Sequence, residues 1–408
     1  MSPGGRPLRF FLGAFGEPGH AFPMLALGAR LVQRGHEVTF ETWSRWRPHV
    51  EEAGMRFLAA PEYPLFPGEG EPFEMYEAVV RATGPTREAV ASVRPHTVIH
   101  DILTLAPAMA GELEGVPVAT LVPHVYPVGA PGFPPYALGA RLPRTRIGSR
   151  LWSGLARTTD GGLRQGRAQL NDARARLGLP AVQRLHGGLS EGLCLVGTFP
   201  QIEYPRRWPA GVEVTGPMSF EIPHPEIELP PGEEPLVLVA PSTAHDSRNH
   251  LVRTALAALA EEPVRVVATT NRVVPQDPIE VPGNAVLVEW LSYSQLMPAA
   301  SLVISHGGHG TVARALSAGT PLLISPFIGD MSETAMRVGW AGAGLSLPWR
   351  LCRPAPLRWA ARRVIAEPAF TARAGELAAW AREHDGGERG AELVERLAAR
   401  SSHAGATA

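Results

Sequence analysis

A glycine-rich stretch in the second half of the chain, Ser305-His306-Gly307-Gly308-His309-Gly310-Thr311, carries the clearest chemical signal. It follows an apolar run and precedes an amphipathic one, so it should join a strand to a helix. Glycines let the backbone approach a ligand closely, and free N–H groups at a helix start favour a diphosphate. The side chains of His306 and Thr311 can add donors. The pattern is neither a Walker P-loop nor a dinucleotide fingerprint, and alone it could be a tight turn around a buried histidine.

The sequence lacks the motifs expected of a catalytic metal site. No Asp-x-Asp pair occurs, and His306 and His309 are three residues apart without a third ligand nearby. The two cysteines, Cys194 and Cys352, disfavour a disulfide scaffold or a Cys zinc site. We therefore expect no metal and no resident cofactor.

Composition is that of a globular protein large enough for two domains. The 408 residues are 45% hydrophobic and 19% charged, with a net charge of -1. That balance gives no attraction to nucleic acid or to an anionic membrane. No apolar run reaches the roughly 18 residues of a membrane span, and the first residues do not resemble a signal peptide. We expect a cytoplasmic protein without stable membrane insertion.

Short apolar runs alternate with amphipathic stretches in both halves, which is typical of βα units and parallel sheets. In the first half this pattern predicts strands at 8–14, 38–40, 97–100 and 118–122 and helices after residue 24 and over 105–113. In the second half it predicts strands at 236–240, 264–268, 302–305 and 322–325 and helices over 250–260 and 311–317. Two doubly wound domains would place a site in the cleft beyond the strand C-termini.

A Pro- and Glu-rich segment, 217–235, is the best candidate for a linker between these halves. We therefore expect an N-terminal domain at 1–216, a C-terminal domain at 236–385, and a final helix and tail at 386–408 that packs back on the N-terminal domain. Between Arg141 and Arg176 nine arginines outnumber two acids. Because they are scattered and lack interleaved aromatics, a solvated helical face explains them better than a nucleic-acid site.

The segment from Trp290 to Ala335 resembles the nucleotide-sugar signature of the family 1 glycosyltransferases of GT-B fold. Within that family it is most similar to actinobacterial natural-product enzymes. The resemblance extends to the N-terminal half through Gly19-His20-x-x-Pro23 and Arg34-Gly35-His36-x-x-Thr39-Phe40. It implies an α/β protein with two Rossmann-like, doubly wound domains facing each other across a cleft. It also implies inverting, metal-independent transfer of a sugar from a nucleotide diphosphate to a small molecule.

The resemblance assigns the chemistry of proton transfer to two residues. His20 would be the general base for the acceptor, and Asp101 would hold its ring in the right tautomer. Only the fold can bring residues so distant in sequence together. Read without the resemblance, His20 is a polar residue near a helix start, and Asp101 could cap the helix that follows.

The resemblance also places the donor on the C-terminal domain and the acceptor on the N-terminal domain. Trp290 would stack on the nucleobase and the backbone of Leu291 would read its edge, although a core tryptophan is the simpler explanation of Trp290 alone. Asp330 would accept hydrogen bonds from sugar hydroxyls. The full predicted donor set is Ser242, Thr243, Trp290, Leu291, His306, Gly307, Gly308, Gly310, Thr311, Asp330 and Met331.

Two positions depart from the family pattern. Met331 stands where users of UDP-glucose carry Gln, and Arg314 stands where a Glu grips the ribose hydroxyls. Losing both polar contacts favours a dTDP-deoxysugar, and a UDP-sugar remains the alternative donor. Arg314 would then face solvent or reach a phosphate.

Aromatic and proline-rich loops at 61–73 and 123–136 suggest an apolar, polycyclic acceptor, although ordinary loop packing explains them equally well. The candidate acceptor residues are Phe66, His124, Tyr126 and Phe133. Two other functions stay open, a GT-B nucleotide-sugar 2-epimerase using Glu333 as an extra acid, and an inactive nucleotide-sugar-binding auxiliary protein. The sequence is compatible with a monomer or a homodimer.

Overall fold

The computed structural model describes residues 6–61, 76–222, 224, 226–241, 246, 248–327 and 329–406, without the side chains of 156–160 and 401–406. Within this part of the chain two parallel sheets form, and helices pack against them. Parallel strands joined by helices are buried on both faces, which is why their sequences are almost continuously apolar.

The N-terminal sheet has seven described strands. They are β1 (Arg9–Gly13), β2 (Glu37–Thr42), β3 (Arg56–Ala59), β4 (Thr97–Asp101), β5 (Val118–Val122), β6 (Leu193–Val196) and β7 (Val212–Val214). Their order in the sheet is β3-β2-β1-β4-β5-β6-β7. The helices of this half are α1 (Pro18–Gln33), α2 (Arg47–Glu52), α3 (Glu77–Val93), α4 (Ala106–Leu113) and α5 (Arg146–Arg176). Strand β1 therefore lies between β2 and β4, with Gly13 paired to His100 at the carboxyl edge.

The C-terminal sheet repeats this arrangement with six described strands. They are β8 (Leu236–Ala240), β9 (Arg265–Thr269), β10 (Ala285–Val288), β11 (Ala300–Ser305), β12 (Leu322–Ile324) and β13 (Gly344–Ser346), in the order β10-β9-β8-β11-β12-β13. The accompanying helices are α6 (His250–Leu259), α7 (Tyr293–Leu296), α8 (His309–Ala318), α9 (Asp330–Ala341), α10 (Pro354–Ala366) and α11 (Pro368–Glu383). In both sheets the first strand pairs with the fourth, which creates a switch point for ligand binding at its carboxyl edge.

The last helix, α12 (Gly386–Ala406), leaves the C-terminal half and packs against α1. Arg34 makes a two-pronged ion pair with Glu395 at 2.6 and 2.7 Å, and His36 donates to the same carboxylate at 2.7 Å. The halves also share a core, since Phe199 and Ile202 from the N-terminal half are buried in the C-terminal cluster. The two domains are thus held together by α12, which returns to the N-terminal domain, and by apolar contacts.

The predicted strands and helices agree with the structure to within a few residues, and most of the arginine-rich region from Arg141 to Arg176, interpreted as a helical face, forms the 31-residue helix α5. Most arginines of α5 face solvent, whereas Arg174 is buried and pairs with Glu112. One alternative fails: Asp101 does not cap the following helix. It ends β4, and Leu105 is the residue that precedes α4.

Candidate active site

The predicted base and its partner meet at the carboxyl edge of the N-terminal sheet. His20 lies in the first turn of α1, just beyond β1, and Asp101 ends the neighbouring strand β4. The His20 Nδ1 and the Asp101 Oδ1 are 2.7 Å apart, and the other carboxylate oxygen accepts from the backbone N–H of Leu103 at 3.2 Å. Because a carboxylate only accepts, Nδ1 carries the proton and Nε2 carries the lone pair.

The charge balance around His20 favours its protonated form. Burial opposes that charge, but the carboxylates of Asp101 and, more weakly, Asp330 and Glu17 outweigh it, so the pKa of His20 is raised above 6.5. The side chain of His20 keeps 19% exposure while Asp101 is buried. His20 can therefore exchange a proton with a group in the cleft.

The predicted sugar contact faces His20 from the other domain. Asp330 is the first residue of α9 and follows Gly329, whose φ of 63° lies in the left-handed region. Its charge acts on His20, His124 and Tyr136, as their pKa shifts show. The start of α9 therefore closes the cleft opposite the base.

The predicted acceptor residues differ in what their side chains contact. His124 follows β5 and its Nδ1 donates to the carbonyl of Val125 at 2.8 Å, with the Tyr136 hydroxyl at 3.3 Å. Burial lowers the pKa of His124 and raises that of Tyr136. By contrast, Tyr126 is buried against Trp208, and Phe133 packs edge-on against Tyr204. Phe66 lies outside the described residues.

The glycine-rich stretch joins β11 to α8, as its composition predicts. Gly307 has a φ of 88°, and a Cβ there would lie 2.7 Å from a methyl of Ile324 and 3.1 Å from the carbonyl oxygen of Met331. Only glycine fits at that position. A Cβ on Gly308 would meet no described atom within 4 Å, so the start of α8 is open to a ligand. Gly310 and Thr311 are half-buried in its first turn.

His306 belongs to a second histidine–aspartate pair that the sequence analysis missed. Its side chain is fully buried, its Nε2 lies 3.4 Å from Oδ2 of Asp246, and its ring packs against Trp349. Asp246 also accepts from the backbone N–H groups of His250 and Leu251 at 2.8 and 2.9 Å. Burial opposes ionisation, but hydrogen bonding from the His306 side chain and from these two backbone N–H groups holds the pKa of Asp246 down to about 2. An acid shortly before a predicted helix was the available signal.

The predicted nucleobase platform is accompanied by an arginine. Trp290 is half-buried and Leu291 is buried. The guanidinium of Arg272 lies 4.7 Å from the centre of the Trp290 ring, at a distance typical of cation–π contacts. Asn271 and Arg272 both have positive φ, at 50° and 63°. Ser242 and Thr243, the predicted phosphate contacts, lie outside the described residues.

Arg314 contacts the linker. It donates to the carbonyls of Phe220 and, at 3.2 Å, Gly310, and burial lowers its pKa. The neighbouring Glu221 accepts from the hydroxyl of Ser292 at 2.8 Å. A linker carboxylate thus lies beside the loop that follows Trp290.

Two further structural observations concern the described residues alone. No three His, Cys, Asp or Glu side chains among them converge in a way that could hold a metal ion. None of the helices that this part of the chain forms has the length and apolar character needed to cross a bilayer. Independence from metals stays a prediction.

Comparison with known proteins identifies the family. Residues 253–399 match the family model of the erythromycin biosynthesis protein CIII-like C-terminal domain. The chain is 30% identical over 395 residues to the 4'-demethylrebeccamycin synthase of Lentzea aerocolonigenes, covering 88% of this chain and 92% of that one. It is also 30% identical over 430 residues to the O-mycaminosyltylonolide 6-deoxyallosyltransferase of Streptomyces fradiae, covering 96% and 98%.

The fold has a solved counterpart in the glycosyltransferase of kitacinnamycin, with a TM-score of 0.76, 20% identity, and coverage of 96% of this chain and 99% of that one. Two Rossmann-like domains across a cleft define the GT-B class, as the sequence predicted. The chain belongs to the natural-product glycosyltransferases of GT-B fold found in antibiotic pathways. It is an enzyme with a nucleotide-sugar donor.

Proposed function

We propose that this glycosyltransferase transfers a deoxysugar from dTDP to an apolar small-molecule acceptor, with inversion, without a metal, and with His20 as the general base. The observation that carries the proposal is the 2.7 Å contact between His20 Nδ1 and the buried Asp101 carboxylate. It fixes the tautomer that presents a lone pair on Nε2. Within the described residues, Nε2 has no hydrogen-bond partner, so it is available to an acceptor hydroxyl.

The reaction is a single displacement. The acceptor oxygen attacks the anomeric carbon from the face opposite the diphosphate, and the bond from that carbon to the diphosphate oxygen breaks. The hydroxyl proton passes to Nε2 of His20, and Asp101 stabilises the resulting imidazolium. Attack from the opposite face inverts the anomeric configuration.

The departing diphosphate needs positive potential on the other side of the sugar. The start of α8 offers free N–H groups at the positive end of the helix dipole, and the open position of Gly308 permits close approach. His306, paired with Asp246, lies directly before this helix start. These features support a mechanism without a metal.

Two observations support a dTDP-deoxysugar. Met331 is 8% exposed and places an apolar side chain where glucose users offer an amide. Arg314 is engaged by the linker, so α8 presents no carboxylate to a pentose 2'-hydroxyl. The relative from Streptomyces fradiae is named for the transfer of a 6-deoxysugar. Glu221 is the one nearby carboxylate we identify that could serve UDP instead.

Exposed apolar side chains near the catalytic pair support an apolar acceptor. Leu103, two residues after Asp101, is 57% exposed, and Leu138, two residues after Tyr136, is 58% exposed. Isolated exposed leucines are common, but these two flank residues of the cleft.

The epimerase alternative loses its supporting residue. Glu333, which would have been the extra acid, is buried and accepts from Nε of Arg337 at 2.8 Å. A carboxylate committed to an arginine is a poor acid for elimination. Since the family consists of glycosyltransferases, transfer is the better function for this site.

The proposal is tested by incubating the enzyme with a dTDP-6-deoxyhexose and a panel of polycyclic phenols and alcohols. We expect release of dTDP that depends on the acceptor, survives excess EDTA, and gives a product with inverted anomeric configuration by NMR. A strict requirement for magnesium or manganese would refute the metal-free mechanism. A product that retains the donor's configuration would refute single displacement.

A further inference from the structure

A short segment between β6 and β7 touches both sides of the cleft. We call Glu203–Trp208 the bridging segment, and residues 124–136 the acceptor loop. The bridging segment lies between two strands of the N-terminal sheet, yet its residues Glu203 and Tyr204 pack against α9 of the C-terminal domain. It lies between the acceptor loop and the helix whose first residue faces His20.

The contact with α9 is a buried ionic cluster. Arg337 of α9 pairs with Glu203 and donates through Nε to Glu333 at 2.8 Å. The three side chains are each no more than 6% exposed. Burial opposes the charge on Arg337, but the two carboxylates outweigh it and raise its pKa. The guanidinium also lies 4.4 Å from the ring centre of Tyr204.

The contact with the acceptor loop uses the same glutamate. The second oxygen of Glu203 accepts from the backbone N–H of Tyr126 at 2.6 Å. Arg206 donates to the carbonyls of Val128 and Gly129 at 2.5 and 3.1 Å. The acceptor loop is therefore held by the bridging segment through its backbone.

One carboxylate thus bonds to both domains, through Oε1 to the acceptor loop and through Oε2 to α9. A shift of the acceptor loop must move Glu203. Because separating a buried charge from its partner is strongly destabilising, Arg337 must move with it. Arg337 lies seven residues from Asp330 on one helix, a distance of about 10 Å along its axis. A rigid helix transmits the shift to its first residue.

We propose that Glu203 and Arg337 are positioning residues that couple the acceptor loop to the sugar-facing start of α9. Occupation of the donor site then orders the acceptor loop, and by reciprocity an acceptor tightens the donor by the same factor. This inference rests on the proposed donor site at α8 and α9. It assigns the two residues no direct contact with either substrate.

Hydrogen exchange with donor alone tests the coupling without a known acceptor. The probes are dTDP-glucose and UDP-glucose, with dTDP as the version lacking a sugar. In the wild-type chain we expect the better-binding sugar nucleotide to slow exchange in residues 306–312 and, by about 5-fold or more, in the acceptor loop. We expect dTDP to protect residues 306–312 but to protect the loop much less.

The main variant removes the whole charge cluster, because Arg337→Met alone would leave two carboxylates buried without a cation. In the variant Glu203→Gln/Glu333→Gln/Arg337→Met, the sugar nucleotide should still slow exchange in residues 306–312. Its slowing of exchange in the acceptor loop should fall to about 1-fold, which means no effect. The control, Glu213→Gln/Glu392→Gln/Arg389→Met, makes the same changes in an exposed cluster of the same composition. It should behave as wild type.

The single variant Glu203→Gln keeps the side-chain shape and provides a second test of the coupling if the triple variant does not fold. Its amide oxygen can accept from only one of the two partners without rearrangement, so loop protection should fall by at least half. Loop protection that persists in every folded variant would overturn the coupling. Absence of protection at 306–312 in wild type would instead overturn the proposed donor site, and the coupling with it.

Discussion

The two halves of the molecule each place a histidine beside an aspartate, but they exchange the strands that carry them. In the N-terminal half His20 follows β1 and Asp101 ends β4. In the C-terminal half Asp246 lies between β8 and α6, and His306 follows β11. Strands β8 and β11 hold the same positions in their sheet as β1 and β4 hold in theirs.

The two pairs differ in exposure and in distance. His20 keeps 19% exposure and lies 2.7 Å from its partner, whereas the His306 side chain is fully buried and lies 3.4 Å from Asp246. A histidine can take a proton from a substrate only if its second nitrogen is reachable. In the proposed mechanism, the same pair of residue types therefore serves proton transfer in one half and a fixed electrostatic role in the other.

The largest effect is expected from removing the reachable histidine. His20→Ala should lower turnover by roughly 10²–10⁴-fold, the usual contribution of a general base, because His20 is the proposed acceptor of the hydroxyl proton. Binding of dTDP, measured by calorimetry, should be unchanged. His384→Ala, at an exposed position directly after the end of α11, is the control. Turnover near the wild-type rate would remove His20 from the mechanism.

Asp101→Asn should cause a smaller loss than His20→Ala. The amide retains an acceptor for Nδ1 but no longer stabilises the imidazolium, and its N–H₂ group can turn the ring to the wrong tautomer. Turnover at saturating donor is the measurement. A loss as large as that of His20→Ala would mean that Asp101 itself carries the proton.

Removing the buried histidine should weaken donor binding as well as turnover. His306→Ala is expected to cost about 10- to 100-fold in both, the equivalent of one hydrogen bond to a charged group. Calorimetry with dTDP and steady-state kinetics measure the two quantities. If His306→Ala lowered turnover alone, the distinction between the two pairs would be wrong.

The smallest effect concerns the pentose. Because α8 carries Arg314 where a carboxylate would meet a 2'-hydroxyl, dTDP should bind about 5- to 10-fold more tightly than UDP, since one unsatisfied buried polar group costs about 1 kcal/mol or more. Glu221→Gln should widen that ratio if the linker carboxylate serves UDP. Binding of UDP at least as tight as that of dTDP would contradict the pentose argument, and UDP-glucose would become the first donor to try.

Much of the fold could be predicted because parallel strands leave a strong apolar pattern. Leu236–Ala240 was predicted to the residue, and the pairing of His20 with Asp101 was accessible because carboxyl ends of parallel strands share one edge. The resemblance to a family supplied the role of each residue. Composition alone would have left His20 as a polar residue near a helix start.

The missed features are contacts between residues far apart in sequence. Glu203 and Arg337 are separated by 134 positions, and no periodicity links a loop glutamate to a helix six strands later in another domain. Arg314 was expected to face solvent or a phosphate, yet a linker carbonyl 94 positions away accepts its hydrogen bond. Which residues become partners depends on how the two domains pack, and the local sequence pattern of each segment does not encode that packing.

The pH dependence of the single-turnover rate, measured side by side in wild type, Asp101→Asn and His306→Ala, tests the central claim most directly. In the proposed mechanism the neutral form of His20 is the base, so the rate should rise with pH through a pKa above 6.5 and then level off. Asp101 is the main group that raises this pKa against the effect of burial, so Asp101→Asn should move the rise to lower pH. His306→Ala should lower the plateau and leave the position of the rise unchanged. A rise that moves or disappears in His306→Ala while staying in place in Asp101→Asn would show that the buried pair, not His20, handles the proton.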